Sequence, residues 1–365
     1  MNPLAFFPSR TVALYMARLF LVRTFAIAFS IAFILQALDL LSETGRILEF
    51  DGNGQAQVLR YVSLRFPQIV AFALPFSVLL GTILTLITMN QNSEVVALKA
   101  AGLSAHQVLA PLLVASLGVA AISLGFNERI VARATATLEQ WKRVDYGPLP
   151  VDRGDRTNVW VRQGDDLIEV TRITGRGADA RLQGVTVYDR ENGALRSTIS
   201  APQGVRAGDA WRIGPAKRFD VGTGAVESLG EAVVARGVRP DQFTLATVNP
   251  EGMTFVELSG AIDDLSDAGR PTKSLEGALW HKLSGPLSAV LMPLLGAVAA
   301  FGIARSGKLF IRAVIGMALG FAFFVADNFA LAMGNLGAYP PFLAAWAPFL
   351  LFFLIGEAVL IRTEE

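Results

Sequence analysis

Six apolar runs, each long enough to cross a bilayer, constrain this chain more than any other feature. A membrane-crossing helix needs about 20 apolar residues. The runs fall into two groups of three, separated by a long polar stretch in the middle of the chain. We therefore predict an α-helical membrane protein with three helices, an inserted polar domain and three further helices. The six runs are Thr24–Leu41, Gln68–Met89, Val108–Phe126, Leu283–Ile303, Leu309–Leu331 and Phe342–Ile361.

The composition narrows the class of protein further. The chain of 365 residues is 52% hydrophobic and 17% charged, more apolar than the core of a soluble domain requires. A net charge of +1 argues against nucleic acid as a partner. The chain has no cysteine and only two histidines, so we expect no catalytic residues, no metal site and no cofactor on this chain. The predicted domains are 1–127 and 272–365 in the membrane and 128–271 outside it.

Basic residues beside the spans predict the orientation. Arg10, Arg18 and Arg23 precede the first span, and no acidic residue occurs before Asp39. Lysine and arginine are enriched on the cytoplasmic side of membrane helices. Both termini are therefore expected in the cytoplasm and the polar domain in the periplasm of a bacterial inner membrane, with a flipped topology as the alternative. The turn between the fourth and fifth spans agrees, with Arg305, Lys308 and Arg312.

The polar domain has the pattern of an all-β fold. Short runs rich in Val, Ile and Thr alternate with turn residues, and Asn192-Gly193 is a strong hairpin signal. Many short strands predict a jellyroll-like domain, a sandwich or a related curved sheet. Asp165 and Asp166 fit turns better than a metal site. An amphipathic helix is expected over Thr254–Ser266. The expected strands are Asn158–Val161, Asp166–Thr174, Leu182–Asp189 and Leu195–Ser200, with weaker strands up to about Phe243.

A short helix is predicted in the polar break Asn90–Gln107, between the second and third spans. Ser93 is a favourable N-cap, since its hydroxyl can accept a free backbone N–H, and Gly102 is a natural stop. Ser104 and Gln107 form a capping box that opens the next helix. The predicted helix therefore covers Ser93–Ala101.

The predicted short helix needs a packing partner. Glu94 lies in its first turn and Lys99 in its last, the order that the helix dipole favours. A helix of about nine residues does not persist alone in water. We therefore expect its apolar side chains to pack against something else, and these are Val95, Val96, Leu98 and Leu103.

The sequence GIARSGK at Gly302–Lys308 matches the start of a phosphate-binding loop. Leu309 stands where such a loop needs Ser or Thr to hold magnesium. Membrane spans flank the motif, whereas a phosphate-binding loop follows a sheet strand. We interpret Lys308 as a membrane anchor and expect this chain to hydrolyse no ATP.

Three residues of the fifth span are candidates for packing or function. Gly316 and Gly320 form a GxxxG pattern, which serves close helix packing within one chain or between two. Asp327 follows Leu309 by 18 residues. That distance is about 27 Å, near the outer boundary of the hydrocarbon core. Asp327 is therefore a gate candidate, with an interfacial aspartate as the alternative.

Basic residues near the outer ends of the second and fourth spans are lipid head-group candidates. Arg60 and Arg65 approach the second span, and Lys282 follows Trp280-His281 at the start of the fourth. Lysine and arginine at this height can meet anionic head groups. They could form a basic rim around a cavity, or they could be separate interface anchors.

Together with this organisation, several local sequences resemble the LptF/LptG permease family of bacterial lipopolysaccharide export. The resemblance covers nearly the whole chain. The most specific segment is QNSEVVALKAAG at Gln91–Gly102, which is similar to the cytoplasmic coupling helix of the family. The segments near the last two spans favour LptG over LptF. The other similar segments are Pro67–Gly81 with Pro75, Trp280-His281-Lys282, Pro286-Leu287-Ser288, Ala326-Asp327-Asn328 and Tyr339-Pro340-Pro341.

The resemblance implies an assembly and a substrate. It implies a heterodimer with a paralogous LptF-like permease, around a cavity that takes lipopolysaccharide from the inner membrane. ATP and Mg would be bound by a cytoplasmic LptB-like ATPase dimer, and the periplasmic β-jellyroll would pass the lipid to LptC-like and LptA-like proteins. Family members carry lysine near Gln36 and Gln68, which this chain lacks. The implied ATPase-coupling residues lie in 93–102 and are Ser93, Glu94, Val95, Val96, Leu98, Lys99 and Gly102.

Three functional hypotheses follow. The first is a transporter subunit, not an enzyme, that exports lipopolysaccharide with the energy of a separate ATPase. The second is a non-transporting membrane scaffold or sensor whose β domain binds envelope partners. The third is an intramembrane enzyme, but its acidic candidates Asp39, Asp327 and Glu357 lie at different depths. A stoichiometric ATPase that co-purifies with the chain would separate the first hypothesis from the other two.

Overall fold

A computed structural model gives the fold and describes residues 8–148, 156–174, 180–191, 193–238, 248–267, 270–301 and 309–362. The chain forms two compact units. The helical unit comprises Met1–Leu149, Pro250–Ser259 and Thr272–Glu365, and the β unit comprises Pro150–Asn249 and Gly260–Pro271. The predicted boundary at residue 127 is placed too early, because the helix that follows belongs to the helical unit.

The first part of the helical unit contains long helices around the predicted spans. Asn127–Val131 is a π-helical segment that joins the third span to the helix after it, so Ala105–Arg143 is one continuous helical rod. Each of the first three predicted spans lies inside one of these helices. The helices are α1 (Arg10–Glu49), α2 (Gln55–Gln91), α3 (Glu94–Ala100), α4 (Ala105–Phe126) and α5 (Ala132–Arg143).

The second part of the helical unit contains the remaining spans. Five helices of the described residues are long and apolar enough to cross a membrane, and they match the first, second, third, fifth and sixth predicted spans. The fourth predicted span overlaps a further helix, and its end at Ile303 lies outside the described residues. The helices are α6 (Phe255–Asp267), which belongs to the helical unit only as far as Ser259, α7 (Lys273–Phe301), α8 (Leu309–Asn335) and α9 (Pro341–Arg362). The helix expected over Thr254–Ser266 is therefore confirmed as α6.

The core of the helical unit lies between α2, α4 and α7. α7 packs against α2, α4, α8 and α9, whereas α1 packs against α2 and α4. Only 28% of the most apolar window of α1 and 22% of that of α8 are buried in this chain. Their exposed aromatic side chains therefore face lipid or another protein. They include Phe25, Phe29 and Phe33 on α1 and Phe321 and Phe329 on α8.

The β unit is one six-stranded antiparallel sheet. Its strands pair in the order of the sequence, so the connections form a simple meander. Buried side chains alternate along the strands, as at Ile168 and Val170 on β2, so one face carries the apolar core. The strands are β1 (Arg156–Gln163), β2 (Asp166–Thr174), β3 (Arg181–Glu191), β4 (Ala194–Ala207), β5 (Ala210–Asp220) and β6 (Val226–Val234).

The predicted all-β domain is confirmed, and its connectivity is now defined. A jelly roll has two sheets with Greek-key connections. The described residues form a single sheet instead, which corresponds to the predicted alternative of a related sheet. All four expected strands occur: β2 has the predicted bounds, and the other three are longer than predicted. Asn192 of the expected hairpin turn, and Phe243 near the expected end of the strands, lie outside the described residues.

Candidate functional site

α3 begins and ends differently from the prediction. It has seven residues, Glu94–Ala100, instead of nine. Ser93 stands at the N-cap position, but its φ is 62° and its side chain caps no N–H. The expected hydroxyl cap is therefore wrong. The reason is the sharp turn out of α2, in which the Ser93 N–H donates to the carbonyl of Asn90 at 3.0 Å. Capping serines have an extended backbone, and this turn requires a left-handed one.

The predicted stop at Gly102 is confirmed. Gly102 has φ +83°, a conformation that glycine adopts without strain. Its N–H donates to the carbonyl of Lys99 at 2.9 Å, and the Leu103 N–H donates to that of Leu98 at 3.2 Å. This pair of bonds is a Schellman motif, which satisfies the last carbonyls of a helix. Glu94 in the first turn and Lys99 in the last turn are also where they were predicted.

The capping box that opens α4 is confirmed as well. The Gln107 N–H donates to Ser104 Oγ at 3.2 Å, and the Ser104 N–H donates to Gln107 Oε1 at 3.0 Å. Two free donors at the start of α4 are satisfied in this way. α3 is therefore held between a sharp turn on one side and a closed cap on the other.

The apolar side chains of α3 divide between this chain and the surface. Val95 is 3% exposed and belongs to the core of the helical unit, and Leu98 and Leu103 pack against that core. The expectation that Val95 seeks an outside partner is thus corrected, because the chain itself covers it. Val96 points the other way and is 62% exposed. One side of α3 is anchored, and the other presents an apolar side chain to its surroundings.

Glu94 is hydrogen-bonded to a residue that sequence reasoning missed. Glu94 Oε1 accepts from Tyr15 Oη at 3.3 Å and from Asn92 Nδ2 at 3.2 Å. Tyr15 lies on α1, 79 residues away along the chain, and no local pattern signals that contact. Beside the bond, a cavity of about 300 Å³ separates the start of α1 from α3. Its lining is mainly apolar and consists of Val12, Tyr15, Met89, Glu94, Ala97 and Leu98.

The two arginines among the head-group candidates have different partners. The Arg60 guanidinium lies over the Trp141 ring, 4.9 Å from its centroid. Arg65 Nε is 3.3 Å from Asp39 Oδ1, and Arg65 Nη1 donates to Gln68 Oε1 at 2.7 Å. Arg65 is thus largely neutralised by its own chain. Among the described residues no carboxylate pairs with Arg60, which stacks on an aromatic face instead.

Lys282 is surrounded by acidic side chains. The carboxylates of Glu128, Glu251 and Glu257 all act on its half-buried ammonium. Glu128 also accepts two hydrogen bonds from the Phe255 N–H, at 2.8 and 2.9 Å, and thereby caps the start of α6. Lys282 therefore contributes to a group of fixed charges near α6, and it shares no described contact with Arg60 or Arg65.

A second polar group, also missed from the sequence, joins the end of α1 to α2 and α5. Asp39 Oδ2 accepts from Tyr61 Oη at 2.6 Å, in addition to its pair with Arg65. Glu43 Oε2 accepts from Tyr146 Oη at 2.5 Å, and Glu43 Oε1 is 3.6 Å from Lys142 Nζ. Burial and the bond to Glu43 raise the pKa of Tyr146 above its ordinary value. Both acids fix α1 in place.

Asp327 has a definite partner in this chain. Asp327 Oδ2 is 3.0 Å from His281 Nε2, and the Asp327 side chain is only 14% exposed. The other histidine makes a similar contact, since His106 Nε2 is 3.2 Å from Glu357 Oε2. Each histidine thus joins two long helices, α7 to α8 and α4 to α9. Neither pair brings together the three acids of the enzyme hypothesis.

The glycines of the fifth span face inward. Gly316 and Gly320 are both buried, and a Cβ added at Gly320 would overlap Leu79 Cδ2 of α2. The close approach at Gly320 is therefore within this chain. The GIARSGK motif at 302–308 lies outside the described residues.

Comparison with known proteins places these features in a family. The chain matches the model for the lipopolysaccharide export system permease LptF/LptG over residues 14–362. It is similar to the lipopolysaccharide export system permease protein LptG of Escherichia coli K12, with 24% identity over 343 residues that cover 91% of this chain and 92% of that protein. It is also similar to LptG of Haemophilus influenzae, with 21% identity over 318 residues that cover 85% and 87% of the two chains. These names confirm the predicted similarity to LptG, and the match over most of the chain shows that it belongs to the LptF/LptG family of lipopolysaccharide export permeases.

Proposed function

We propose that this chain is the transmembrane permease subunit of an ABC-type exporter of lipopolysaccharide. Family membership and the apolar helices support a multi-pass protein of the inner membrane. In the proposal, a separate cytoplasmic ATPase of the LptB type binds ATP and Mg and drives the cycle. An LptF-like permease completes a heterodimer, and LptC-like and LptA-like proteins receive the lipid.

The geometry of α3 is the observation that carries this proposal. α3 is too short to be stable alone, yet it is fixed by Val95 in the core and by hydrogen-bonded turns at both ends. The same helix exposes Val96 and carries Glu94 at its start. A rigid helix with an exposed apolar side chain suits docking into a groove of another protein. We infer that the groove belongs to the ATPase.

The proposed orientation has α3 and both termini in the cytoplasm and the β unit in the periplasm. Arg10, Arg18 and Arg23 near the start of α1 support it, since positive residues remain on the cytoplasmic side. α3 follows α2, which returns to the side where α1 began. This orientation gives an ATPase access to α3 and gives envelope proteins access to the β unit.

The proposed lipid path uses the exposed faces of α1 and α8. These faces would border a cavity shared with the partner permease, where acyl chains contact phenylalanine side chains such as Phe29 and Phe329. Arg60 is the strongest head-group candidate, because among the described residues no carboxylate neutralises it. Arg65 and Lys282 would have to exchange their carboxylate partners for phosphate. Asp327, paired with His281, is the gate candidate.

The test is co-purification of the cytoplasmic ATPase from native membranes. Val96→Asp and Glu94→Lys should each reduce the recovered ATPase at least about tenfold, because a charge in an apolar interface or a reversed charge costs more than about 1.4 kcal/mol. The matched controls are Val226→Asp and Glu231→Lys, at exposed positions of β6. They should leave ATPase recovery unchanged.

Two results would contradict the proposal. If both α3 variants retained the ATPase and full lipopolysaccharide release, α3 would not be the docking element. If the native chain bound envelope proteins but no ATPase, the scaffold or sensor hypothesis would replace the exporter.

A further inference from the structure

A hydrogen bond links α3 to α1 beside an open pocket. Tyr15 Oη of α1 donates to Glu94 Oε1 of α3 at 3.3 Å, and Tyr15 is half-exposed. The cavity of about 300 Å³ beside this bond leaves Val12 on one wall and Leu98 on the other. Side-chain packing between α1 and α3 is therefore incomplete at this place. The hydrogen bond adds a polar connection between two helices that also share the buried core.

The two carboxylate oxygens of Glu94 differ in the hydrogen bonds that they accept. Tyr15 and Asn92 both donate to Oε1, and among the described residues no hydrogen bond reaches Oε2. An ionised carboxylate accepts about four hydrogen bonds over its two oxygens. Glu94 can therefore hold α1 through Oε1 and at the same time accept a basic group of another protein through Oε2.

α1 is one of the two least covered membrane-crossing helices of the described residues. It packs against α2 and α4 but leaves most of its apolar window uncovered by this chain. Its far end is fixed by Asp39 and Glu43, which bond to α2 and to residues in and just after α5. At its near end, the bond from Tyr15 adds a connection to α3. A displacement of α3 can thus reach α1 through this bond as well as through the buried core that Val95 shares with Met16 and Phe20 of α1.

We propose that Tyr15 is a positioning residue that passes the movement of α3 to α1 through Glu94. This inference rests on the proposed function, since it requires an ATPase that moves α3. In the proposed cycle, a basic group of the ATPase binds Glu94 Oε2, while Tyr15 keeps Oε1 fixed relative to α1. Movement of α3 then changes the position of α1 and the width of the lipid cavity beside it.

The test uses Tyr15→Phe in the complete complex with the partner permease and the ATPase, reconstituted in proteoliposomes with lipopolysaccharide. Tyr15→Phe retains the ring and removes only the hydroxyl. We expect lipopolysaccharide released per ATP hydrolysed to fall about three- to tenfold, as for the loss of one ordinary hydrogen bond, because this bond is long and exposed. Bound ATPase and ATP hydrolysis should change by less than about twofold, because Oε2 and Val96 remain.

A matched control separates this effect from the general loss of a tyrosine hydroxyl. Tyr339 Oη donates to the carbonyl of Ala330 at 3.0 Å, in a contact that does not involve α3. Tyr339→Phe should leave the ratio of lipid released to ATP hydrolysed unchanged. A second variant tests the route: Tyr15→Phe should have a smaller effect in a Glu94→Gln background, since the neutral amide oxygen accepts a weaker hydrogen bond than the carboxylate.

The outcomes distinguish the inference from the function on which it rests. An unchanged ratio in Tyr15→Phe, or additive effects with Glu94→Gln, would overturn the role of Tyr15 and leave the exporter intact. Loss of the ATPase from Tyr15→Phe would also overturn it, because Tyr15 would then serve docking only. If Val96→Asp and Glu94→Lys both kept the ATPase, docking through α3 would fail, and if the native chain bound no ATPase, the proposed function itself would fail, whatever Tyr15→Phe does.

Discussion

Gly81 on α2 allows α1 and α2 to approach closely, and Gly81→Ala tests that contact. A Cβ added at Gly81 would overlap Thr24 Oγ1 and lie 3.1 Å from both the Cα and the N of Thr24. The hydroxyl can rotate, but the backbone atoms cannot move without shifting α1. The substitution therefore forces two long helices apart, even though alanine is otherwise a better helix residue than glycine.

The expected magnitude combines these two opposed effects. Overpacking of a well-packed site costs about 1–3 kcal/mol. Replacing glycine by alanine inside a helix contributes about 0.5–1 kcal/mol in the other direction. The net result is a loss of up to about 2.5 kcal/mol with a central value of about 1.3 kcal/mol, which corresponds to a fall in Tm of roughly 1–3 °C for a chain of this size.

The assay is thermal unfolding of the purified protein in detergent, with Gly118→Ala as the matched control. Gly118 lies on α4, and an added Cβ there meets nothing within 4 Å. Gly118→Ala should leave the Tm unchanged or raise it. Thr24→Ala combined with Gly81→Ala should recover part of the loss, since the hydroxyl overlap is removed. Equal Tm values for Gly81→Ala and Gly118→Ala would refute the close approach of α1 and α2.

Two further predictions concern single side-chain pairs. Hydrogen bonds from the backbone and side chain of Thr254 hold the pKa of Glu257 below its ordinary value of 4.5. These bonds stabilise the start of α6 fully above pH 4.5, where Glu257 is ionised in the folded and the unfolded chain. The stabilisation should be lost as the pH falls through the lowered pKa. An NMR titration should give a low pKa for Glu257 that returns toward 4.5 in Thr254→Ala. Asp327→Ala should lower the Tm, and a double-mutant cycle with His281→Ala should give a coupling of about 0.5–1.5 kcal/mol. Additive losses would show that this pair does not interact.

The sequence predicted the spans because burial in lipid imposes a long, uninterrupted apolar pattern. The sequence also predicted structural features whose hydrogen-bond partners lie within a few residues. Examples are the end of α3 at Gly102 and the capping box of Ser104 and Gln107. Ser93 is the exception among the local signals. Its residue type favours capping, but the tight turn after α2 fixes its backbone in the left-handed region.

The side-chain partners of the candidate residues were not predictable from the sequence. Tyr15 and Glu94 are 79 residues apart, and His106 and Glu357 are 251 residues apart. No periodicity relates such positions, because each contact depends on how whole helices pack. Only the pair of His281 and Asp327 had a usable signal, since both were expected near the outer boundary of adjacent spans.

The π-helical segment Asn127–Val131 sets the angular phase of α5. One additional residue in a helical turn rotates everything beyond it by about 100° around the axis. Trp141 reaches the Arg60 guanidinium on α2 only with that rotation. A regular α-helix that kept all five residues of the segment would turn Trp141 away from Arg60, whereas deletion of one of the five would restore the α-helix and leave Trp141 in its present direction. Loss of one residue is therefore expected to preserve the aromatic contact within the π-helical segment and to disrupt it in the regular helix on either side.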